Sequence, residues 1–255
     1  VMNWPGNWGK AGERLKCGIF WMPSLMLPEQ CGVVDLGVPE HDLHATLEDL
    51  CELVGGSASS PPLASLTQGD IAEPTGDLTP ETISLALARR MPENAILCDE
   101  AITSGRGFGQ FAGGLNPHDH LPLTGGAIGI GIPLSVGAAV ACPDRKVILM
   151  QADGSGMYTV QGLWTQAREN LDIVTIIYSN RAYAILQGEM RNVGVNQFGQ
   201  NARAMLDLDR PELNWCDLAR GMGVEAGRAT TIKAFTRLLD SALASKGPFL
   251  IEAMI

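Results

Sequence analysis

Short apolar segments alternate with helix-like segments along residues 79–253, and this alternation restricts the possible fold more than any other feature of the sequence. Uninterrupted runs of aliphatic and β-branched residues are typical of parallel strands that helices cover on both faces. The predicted strands cover residues 95–98, 146–151, 173–178 and 249–253, and the predicted helices cover 81–91, 125–141 after a glycine-rich start, 158–169, 182–190, 215–221 and 231–245. We therefore expect a doubly wound, mostly parallel α/β sheet over residues 78–255, with helices on both faces.

The chain divides near residue 60. Residues 55–77 are rich in Gly, Ser and Pro and have no helical or strand period, which is the composition of a linker. Residues 1–54 contain one predicted strand (32–36) and one predicted helix (41–53), too little to enclose a core, and are expected to be the remnant of a preceding domain. Beyond the linker, Thr79 is the expected N-cap of the first helix, with Pro80 at its first position.

Composition excludes several classes of partner. The chain has 18 basic and 28 acidic residues, a net charge of −10, and no basic stripe that could neutralise a nucleic-acid backbone. Its longest apolar run, residues 128–142, is interrupted by glycines and a proline and falls short of the roughly 20 residues of a membrane span. The six cysteines form no CxxC pair, and no secretory signal is visible. We expect a soluble cytoplasmic protein with reduced thiols and neither nucleic acid nor membrane as a partner.

Polar residues follow two of the predicted strands at the points where ligands bind in open parallel sheets. Asp153, Gly154 and Ser155 come directly after the strand at 146–151, and Asn180 follows the next strand, 27 residues later. A carboxylate beside a helix start would repel a diphosphate unless a hard cation lay between them, and Mg²⁺ is held by one or two oxygen side chains together with phosphate oxygens. The spacing predicts a site for Mg²⁺ and a diphosphate.

The stretch ADGSGMYTVQGLWTQARENLDIVTIIYSNRAYAIL (152–186) resembles the cofactor motif of thiamine-diphosphate enzymes, a GDG triplet followed by NN. LTGGAIGIGIPLSVGAAVACPDRKVI (123–148) and GPFLIEAMI (247–255) resemble the C-terminal domain of acetolactate synthase-like and benzoylformate decarboxylase-like members. PSLMLPEQCGVVDLG (23–37) is similar to the end of the family's central domain. This chain departs from the motif at Ala152, in place of the first Gly, and at Ser179, in place of the first Asn.

The resemblance implies a set of ligands. Asp153 and Asn180 would bind Mg²⁺ through their side chains and Ala182 through its carbonyl, and Ile128 would prop the cofactor into a bent conformation. The expected cofactor contacts are Thr103, Gly126, Ala127, Ile128, Gly154, Ser155, Asn180, Ala182 and Tyr183. The substrate would be a small 2-keto acid, and Leu186 and Glu189 are the candidates for setting specificity.

The resemblance also implies a partner. In the family a glutamate that contacts the aminopyrimidine comes from a separate pyrimidine-binding domain of a neighbouring subunit, and these 255 residues have no counterpart. We expect that domain on a neighbouring chain or in a missing N-terminal region, and we expect a homo-oligomer. Within the chain, Glu100 and His118 are weak catalytic candidates: Glu100 follows a strand, and His118 lies in a loop that the resemblance places at the rim of the site. His118 and His120 flank Asp119 at a spacing that suggests a metal, but a solvated loop is the favoured interpretation without a third ligand.

Two alternatives remain open. One is a cofactor-binding module without turnover. The other is a nucleotide-dependent dehydrogenase, suggested by GGAIGIG (125–131) and by Asp153, which lies 24 residues after Gly129. Two features disfavour the dehydrogenase: the glycines read GxxGxG rather than GxGxxG, and the preceding segment NPHDHLPLT is polar and broken by prolines, whereas the fingerprint must follow a strand.

Overall fold

The computed structural model describes residues 71–255, except the side chains of 112–114, and these residues form an α/β domain around one sheet. The strands are β1 (Ile96–Glu100), β2 (Asp119–Pro122), β3 (Val147–Ala152), β4 (Ile173–Ser179), β5 (Glu225–Ala229) and β6 (Phe249–Met254). They lie in the order β2-β1-β3-β4-β6-β5, and every neighbouring pair is parallel. The predicted parallel sheet is confirmed.

Helices connect the strands. They are α1 (Pro80–Arg90), α2 (Gly131–Ala141), α3 (Asp153–Gly156), α4 (Gly162–Arg168), α5 (Ala184–Asn192), α6 (Gln200–Leu206), α7 (Trp215–Gly221) and α8 (Ile232–Ala244), with 3-10 turns at Phe108–Gly114 and Met157–Thr159. Thr79 caps α1 as predicted, because its hydroxyl accepts the N–H of Thr82 while the Thr82 hydroxyl accepts the N–H of Thr79.

Alternate residues of the central strands face two separate apolar cores. Along β4, Val174, Ile176 and Tyr178 pack with residues of α1 and α8, whereas Ile173 and Ile177 pack with residues of α2, α4 and α7. All seven β4 residues are buried, as the unbroken apolar run predicts for a strand that is covered on both faces. The doubly wound arrangement is therefore confirmed.

The sequence interpretation missed both edge strands. Within residues 71–255, β2, in the polar segment that we expected to be a loop, hydrogen-bonds only to β1, and β5 hydrogen-bonds only to β6. An edge strand has one neighbour and tolerates proline and polar residues, so neither carries the apolar signal of the central strands. The helix expected over 158–169 is also wrong in extent, because a 3-10 turn (Met157–Thr159) covers its start and α4 begins only at Gly162. The helix α6 was not predicted.

The predicted domain division falls mostly outside the described residues, as do the strand at 32–36 and the helix at 41–53. The last part of the predicted linker, residues 71–77, has no helix or strand but packs on the domain. Ile71 is buried, and Glu73 forms ion pairs with Arg89 and Arg90 of α1. Within residues 71–255, no helix has the length and hydropathy needed to cross a bilayer.

Candidate functional site

The carboxyl ends of β1, β3 and β4 meet at one edge of the sheet, since these strands are parallel neighbours. Ala152 of β3 pairs with Tyr178 of β4, so Asp153 and the turn that begins at Asn180 leave the sheet side by side. The N–H of Arg181 donates to Asp153 Oδ2 at 2.6 Å. The predicted proximity of Asp153 to the turn after β4 is thus present in the structure.

Asp153 is buried, with only 2% of its surface exposed, although it lies at the end of a strand. Burial raises the pKa of this carboxyl to about 6, although hydrogen bonds from the N–H groups of Arg181 and Gly154 favour the charged form. Among the described residues no Lys, Arg or His forms an ion pair with it. A buried carboxylate of this kind is stabilised by a bound cation, which would neutralise the charge.

The turn after β4 holds two further oxygen atoms of the kind that bind metals. The amide oxygen of Asn180 accepts the N–H of Ala182 at 2.9 Å, and the carbonyl of Ala182 accepts the N–H of Ala184 at 2.9 Å. Arg181 between them has a left-handed backbone, with φ 56°. A carboxylate, an amide oxygen and a carbonyl are the oxygen ligands that Mg²⁺ takes in proteins, so the donor set fits this metal.

A close backbone contact shapes the short helix α3 beside Asp153. A Cβ at Gly154 would lie 2.6 Å from Cε1 of Tyr183, so only glycine lets the tyrosine ring lie against this turn. Ser155 is buried, and its hydroxyl lies 2.7 Å from the side-chain amide of Gln151. That hydroxyl is therefore hydrogen-bonded within the protein.

Ile128 lies in a glycine turn between β2 and α2. Gly125, Gly126 and Gly129 have φ of 63°, 69° and 96°, a left-handed conformation that favours glycine. Ile128 is 40% exposed, and Gly126 and Ala127 beside it are exposed as well. Ile128 is therefore not a core residue, and its role as a side chain that faces a ligand stays a prediction.

The two weak catalytic candidates lie in different places. Glu100 ends β1 and is buried, and its two oxygens accept the N–H groups of Gly129 and Gly131. Thr103, a predicted cofactor contact, is half-buried in the turn that follows β1. His118 precedes β2, at the amino ends of the strands, so its expected position at the rim of this site was wrong.

The two histidines have separate partners among the described residues. His118 Nδ1 bonds to the carbonyl of Asn116 at 2.8 Å, and His120 Nε2 lies 3.5 Å from Asp99 Oδ2. No group of three or more His, Cys, Asp or Glu side chains suited to a metal occurs in the described part of the chain. A metal at Asp153 would therefore need amide, backbone, phosphate or water oxygens to complete its shell.

The topology also bears on the dehydrogenase alternative. The glycine segment does follow a strand, β2, although the polar segment before it was expected to contain none. However, β1 lies between β2 and β3 in the sheet. A dinucleotide fingerprint joins two strands that are neighbours, so the unit of β2, α2 and β3 does not have its arrangement.

Two features of this edge were not predicted. Gln151, in the apolar strand β3, is fully buried and contacts the site residue Ser155, and a buried amide in an otherwise aliphatic strand is the signal that could have indicated it. Residues 206–208 also pair with the turn after β4: the N–H of Tyr183 donates to the carbonyl of Leu206, and the N–H of Leu208 to that of Arg181, at 2.8 and 2.7 Å. Such a non-local pairing has no local sequence signature.

Fold and site together define a class: a parallel α/β domain with an oxygen-donor ligand site at the carboxyl edge of its sheet. The sequence model of the family described as "Thiamine pyrophosphate enzyme, C-terminal TPP binding domain" matches residues 108–253, more than half of the chain. The chain belongs to this family of thiamine pyrophosphate enzymes.

Named relatives agree with this assignment. The chain is 44% identical over 251 residues to the Mycobacterium tuberculosis protein named "Putative acetolactate synthase large subunit IlvX", covering 96% of this chain and 48% of that protein. It is 35% identical over 211 residues to benzoylformate decarboxylase of Pseudomonas aeruginosa, covering 83% of this chain and 39% of that protein. The solved thiamine diphosphate-dependent 4-hydroxybenzoylformate decarboxylase of Rhodococcus jostii RHA1 superposes with a TM-score of 0.68 at 31% identity, over 82% of this chain and 38% of that one. The chain thus spans about half the length of these relatives or less.

Proposed function

We propose that this chain binds Mg²⁺ and the diphosphate of thiamine diphosphate at the carboxyl edge of its sheet. Asp153 and Asn180 would bind the metal through their side chains and Ala182 through its carbonyl. The observation that carries the proposal is the buried Asp153 carboxylate, which lacks an ion-pair partner among the described residues and is hydrogen-bonded to the turn that holds Asn180 and Ala182. A metal bound there would offset the buried charge and attract the diphosphate.

The surrounding residues have separate roles in this proposal. Gly154, Ser155 and Tyr183 form the surface of the diphosphate end, with Gly154 required by the close contact of the Tyr183 ring. Ile128 supports the ring end through its exposed side chain, next to Gly126 and Ala127. Thr103, in the turn after β1, would contact the cofactor from the neighbouring strand.

The proposed reaction is decarboxylation or carboligation of a small 2-keto acid. When bound, thiamine diphosphate supplies the electron sink for breaking a bond next to a carbonyl carbon. The residues of this chain would bind the diphosphate through the metal and orient the cofactor. Leu186 and Glu189, both exposed on α5, would contact the substrate. The relatives named above, as synthase and decarboxylases, support this class of substrate.

A partner completes the proposed site. Since the chain spans about half the length of its relatives or less, we propose that a pyrimidine-binding domain, carried by a longer form of this chain in a homo-oligomer or by a separate neighbouring chain, covers Ile128 and supplies the activating glutamate.

Calorimetry tests the proposed binding directly. We expect thiamine diphosphate and Mg²⁺ to bind in a mutually dependent way, because the described residues supply only part of an octahedral shell and the diphosphate supplies more of it. The cofactor should bind at least about tenfold more tightly with Mg²⁺ than in EDTA, since charge neutralisation of this kind is worth more than about 1.4 kcal/mol. Equal affinity in EDTA would contradict the metal site, and no binding with Mg²⁺ would contradict the proposed function.

Ile128→Ala is expected to weaken binding of the cofactor about tenfold while changing the free energy of unfolding by no more than about 0.5 kcal/mol. An exposed side chain contributes little to folding, whereas a side chain that packs on the bound rings contributes about 0.8 kcal/mol per buried carbon. Calorimetry and urea unfolding measure the two effects. Val140→Ala is the matched control, because Val140 is 61% exposed near the far end of α2. If the two variants bind the cofactor equally well, Ile128 does not face it.

A further inference from the structure

A buried carboxylate connects three segments of the cofactor edge. Glu100, at the end of β1, is 1% exposed, and its Oε1 and Oε2 accept the backbone N–H groups of Gly129 and Gly131. Gln151, at the end of β3, contributes the third donor. With its amide nitrogen facing Glu100, Nε2 donates to Glu100 Oε2 at 3.2 Å, while Oε1 accepts from Ser155 Oγ at 2.7 Å and from the N–H of Gly156 at 3.1 Å.

The packing around this network leaves little room for movement. A Cβ at Gly131 would lie 2.6 Å from Glu100 Oε2 and would also overlap Gln151, so the backbone approaches the carboxylate as closely as only glycine allows. On the other side of the turn, a Cβ at Gly129 would lie 2.8 Å from Cβ of Tyr158. The glycine turn that carries Ile128 is therefore held between Glu100 and the segment that follows α3.

The chemistry of Glu100 suits a fixed acceptor better than a proton carrier. All three of its donors are N–H groups, which bond to a carboxylate and would not be satisfied by a protonated acid in the same way. Burial raises the pKa of this carboxyl, and the hydrogen bonds from Gly129, Gly131 and Gln151 oppose that rise. Both oxygens accept backbone hydrogen bonds and the side chain is 1% exposed, so the carboxylate is placed to hold the turn and not to contact a ligand.

We infer that Glu100, acting with Gln151, is a positioning residue that fixes the Ile128 turn relative to the Asp153 turn. The distance between these two ends of the cofactor site is then set before the cofactor binds. The network runs from Gly129 and Gly131 through Glu100 and Gln151 to Ser155 and Gly156. The inference rests on the proposed function, because it assigns Ile128 and the Asp153 turn to the two ends of one ligand.

Glu100→Gln tests this role with almost no change in shape. A glutamine has one acceptor oxygen, so it can serve only one of the two glycine N–H groups and places an NH₂ against the other. We expect the dissociation constant of thiamine diphosphate, measured with Mg²⁺ by calorimetry, to rise at least about tenfold. We also expect hydrogen exchange at the Gly129 and Gly131 amides to accelerate at least about tenfold in the cofactor-free chain.

Glu252→Gln is the matched control. Glu252 is also a fully buried glutamate that accepts two backbone N–H groups, from Trp215 and Cys216, but it lies on β6 and pairs with Arg228. This variant should lower the midpoint of urea unfolding while leaving the dissociation constant within about twofold of the parent. If Glu100→Gln does not fold, Glu100→Asp, which is shorter by one methylene and cannot reach both amides, is measured in the same way.

Combination with Ile128→Ala separates positioning from general destabilisation. If Glu100 acts through the turn that carries Ile128, Glu100→Gln should add less than about threefold to the dissociation constant once Ile128 is already truncated. The role of Glu100 would be overturned if the two substitutions had additive effects on the dissociation constant. It would also be overturned if Glu100→Gln bound the cofactor as tightly as the parent and its Gly129 and Gly131 amides exchanged at the parent rate. Either result would leave the proposed function standing. A parent chain that does not bind the cofactor at all would instead overturn the proposed function.

Discussion

Replacing Asp153 by alanine is expected to abolish the Mg²⁺-dependent part of thiamine diphosphate binding, a loss of at least about 10²-fold in affinity. Asp153 is the one charged member of the proposed ligand set, and neither the amide of Asn180 nor the carbonyl of Ala182 can offset the charge of a divalent ion. The variant should still fold, but its free energy of unfolding should fall by more than substitution of an exposed residue would cause. The N–H groups of Arg181 and Gly154 lose their acceptor, at a cost of about 1–3 kcal/mol for each that stays buried.

Two further variants make this result interpretable. Asp153→Asn keeps the shape and one acceptor oxygen but removes the charge, so it should lose the metal dependence with a smaller change in urea stability than Asp153→Ala. Asp144→Ala removes an exposed aspartate just before the same strand, β3, at its opposite end, and should bind like the parent. Calorimetry with Mg²⁺ and with EDTA measures all three. The metal assignment is wrong if Asp153→Ala still binds the cofactor more tightly with Mg²⁺ than without it.

The second large effect concerns turnover. We expect the 255-residue chain, saturated with Mg²⁺ and thiamine diphosphate, to release CO₂ from pyruvate or benzoylformate at least about 10²-fold more slowly than the chain supplemented with a pyrimidine-binding domain. General acid–base assistance contributes about 10²–10⁴-fold to such rates. Of the acidic groups at this edge, Glu100 has both oxygens hydrogen-bonded and Asp153 is the proposed metal ligand. An uncovered site also exposes the cofactor to water.

Supplementation provides the control for this experiment. A pyrimidine-binding domain whose activating glutamate is replaced by glutamine should cover Ile128 without restoring the rate, which separates proton transfer from the exclusion of water. Intact-mass analysis would exclude a longer species in the preparation. Fast CO₂ release by the chain alone would contradict the prediction and would require an activating base within residues 78–255, with Glu100→Gln the first variant to assay.

The sequence predicts the centre of the sheet better than its edges, and the reason is physical. β3 and β4 are buried on both faces, so their apolar runs were located to within about a residue at each end. β2 and β5 have one neighbour each, and their polar segments DHLP and EAGRA become strands only because β1 and β6 offer unpaired backbone groups. Tertiary pairing of this kind has no local signal.

The same division applies to the site. Asp153, Asn180 and Ile128 follow recognisable strands or lie in a glycine turn, and the structure has them at the strand ends and on an exposed turn, as the spacing and the resemblance indicated. Their roles as ligands remain predictions. The resemblance placed the loop of His118 at the rim of the site, whereas this residue precedes β2, a strand that was not predicted, and so lies at the amino ends of the strands. The burial of Glu100 could not be predicted, since it depends on two glycine amides about 30 residues further along the chain.

The pairing of residues 206–208 with the turn after β4 has an evolutionary consequence. An isolated bridge joins Ala182 to Asp207, and two backbone hydrogen bonds lie beside it. These bonds hold the two ends of the segment 183–206, which contains α5 and α6, next to each other. Backbone hydrogen bonds do not depend on side-chain identity. The segment 183–206 can therefore vary in sequence and length while its two ends stay beside Asn180 and Asp153. Under the proposed function, which places Leu186 and Glu189 of this segment at the substrate, substrate preference would diversify here without any change in the strands that end beside Asp153 and Asn180.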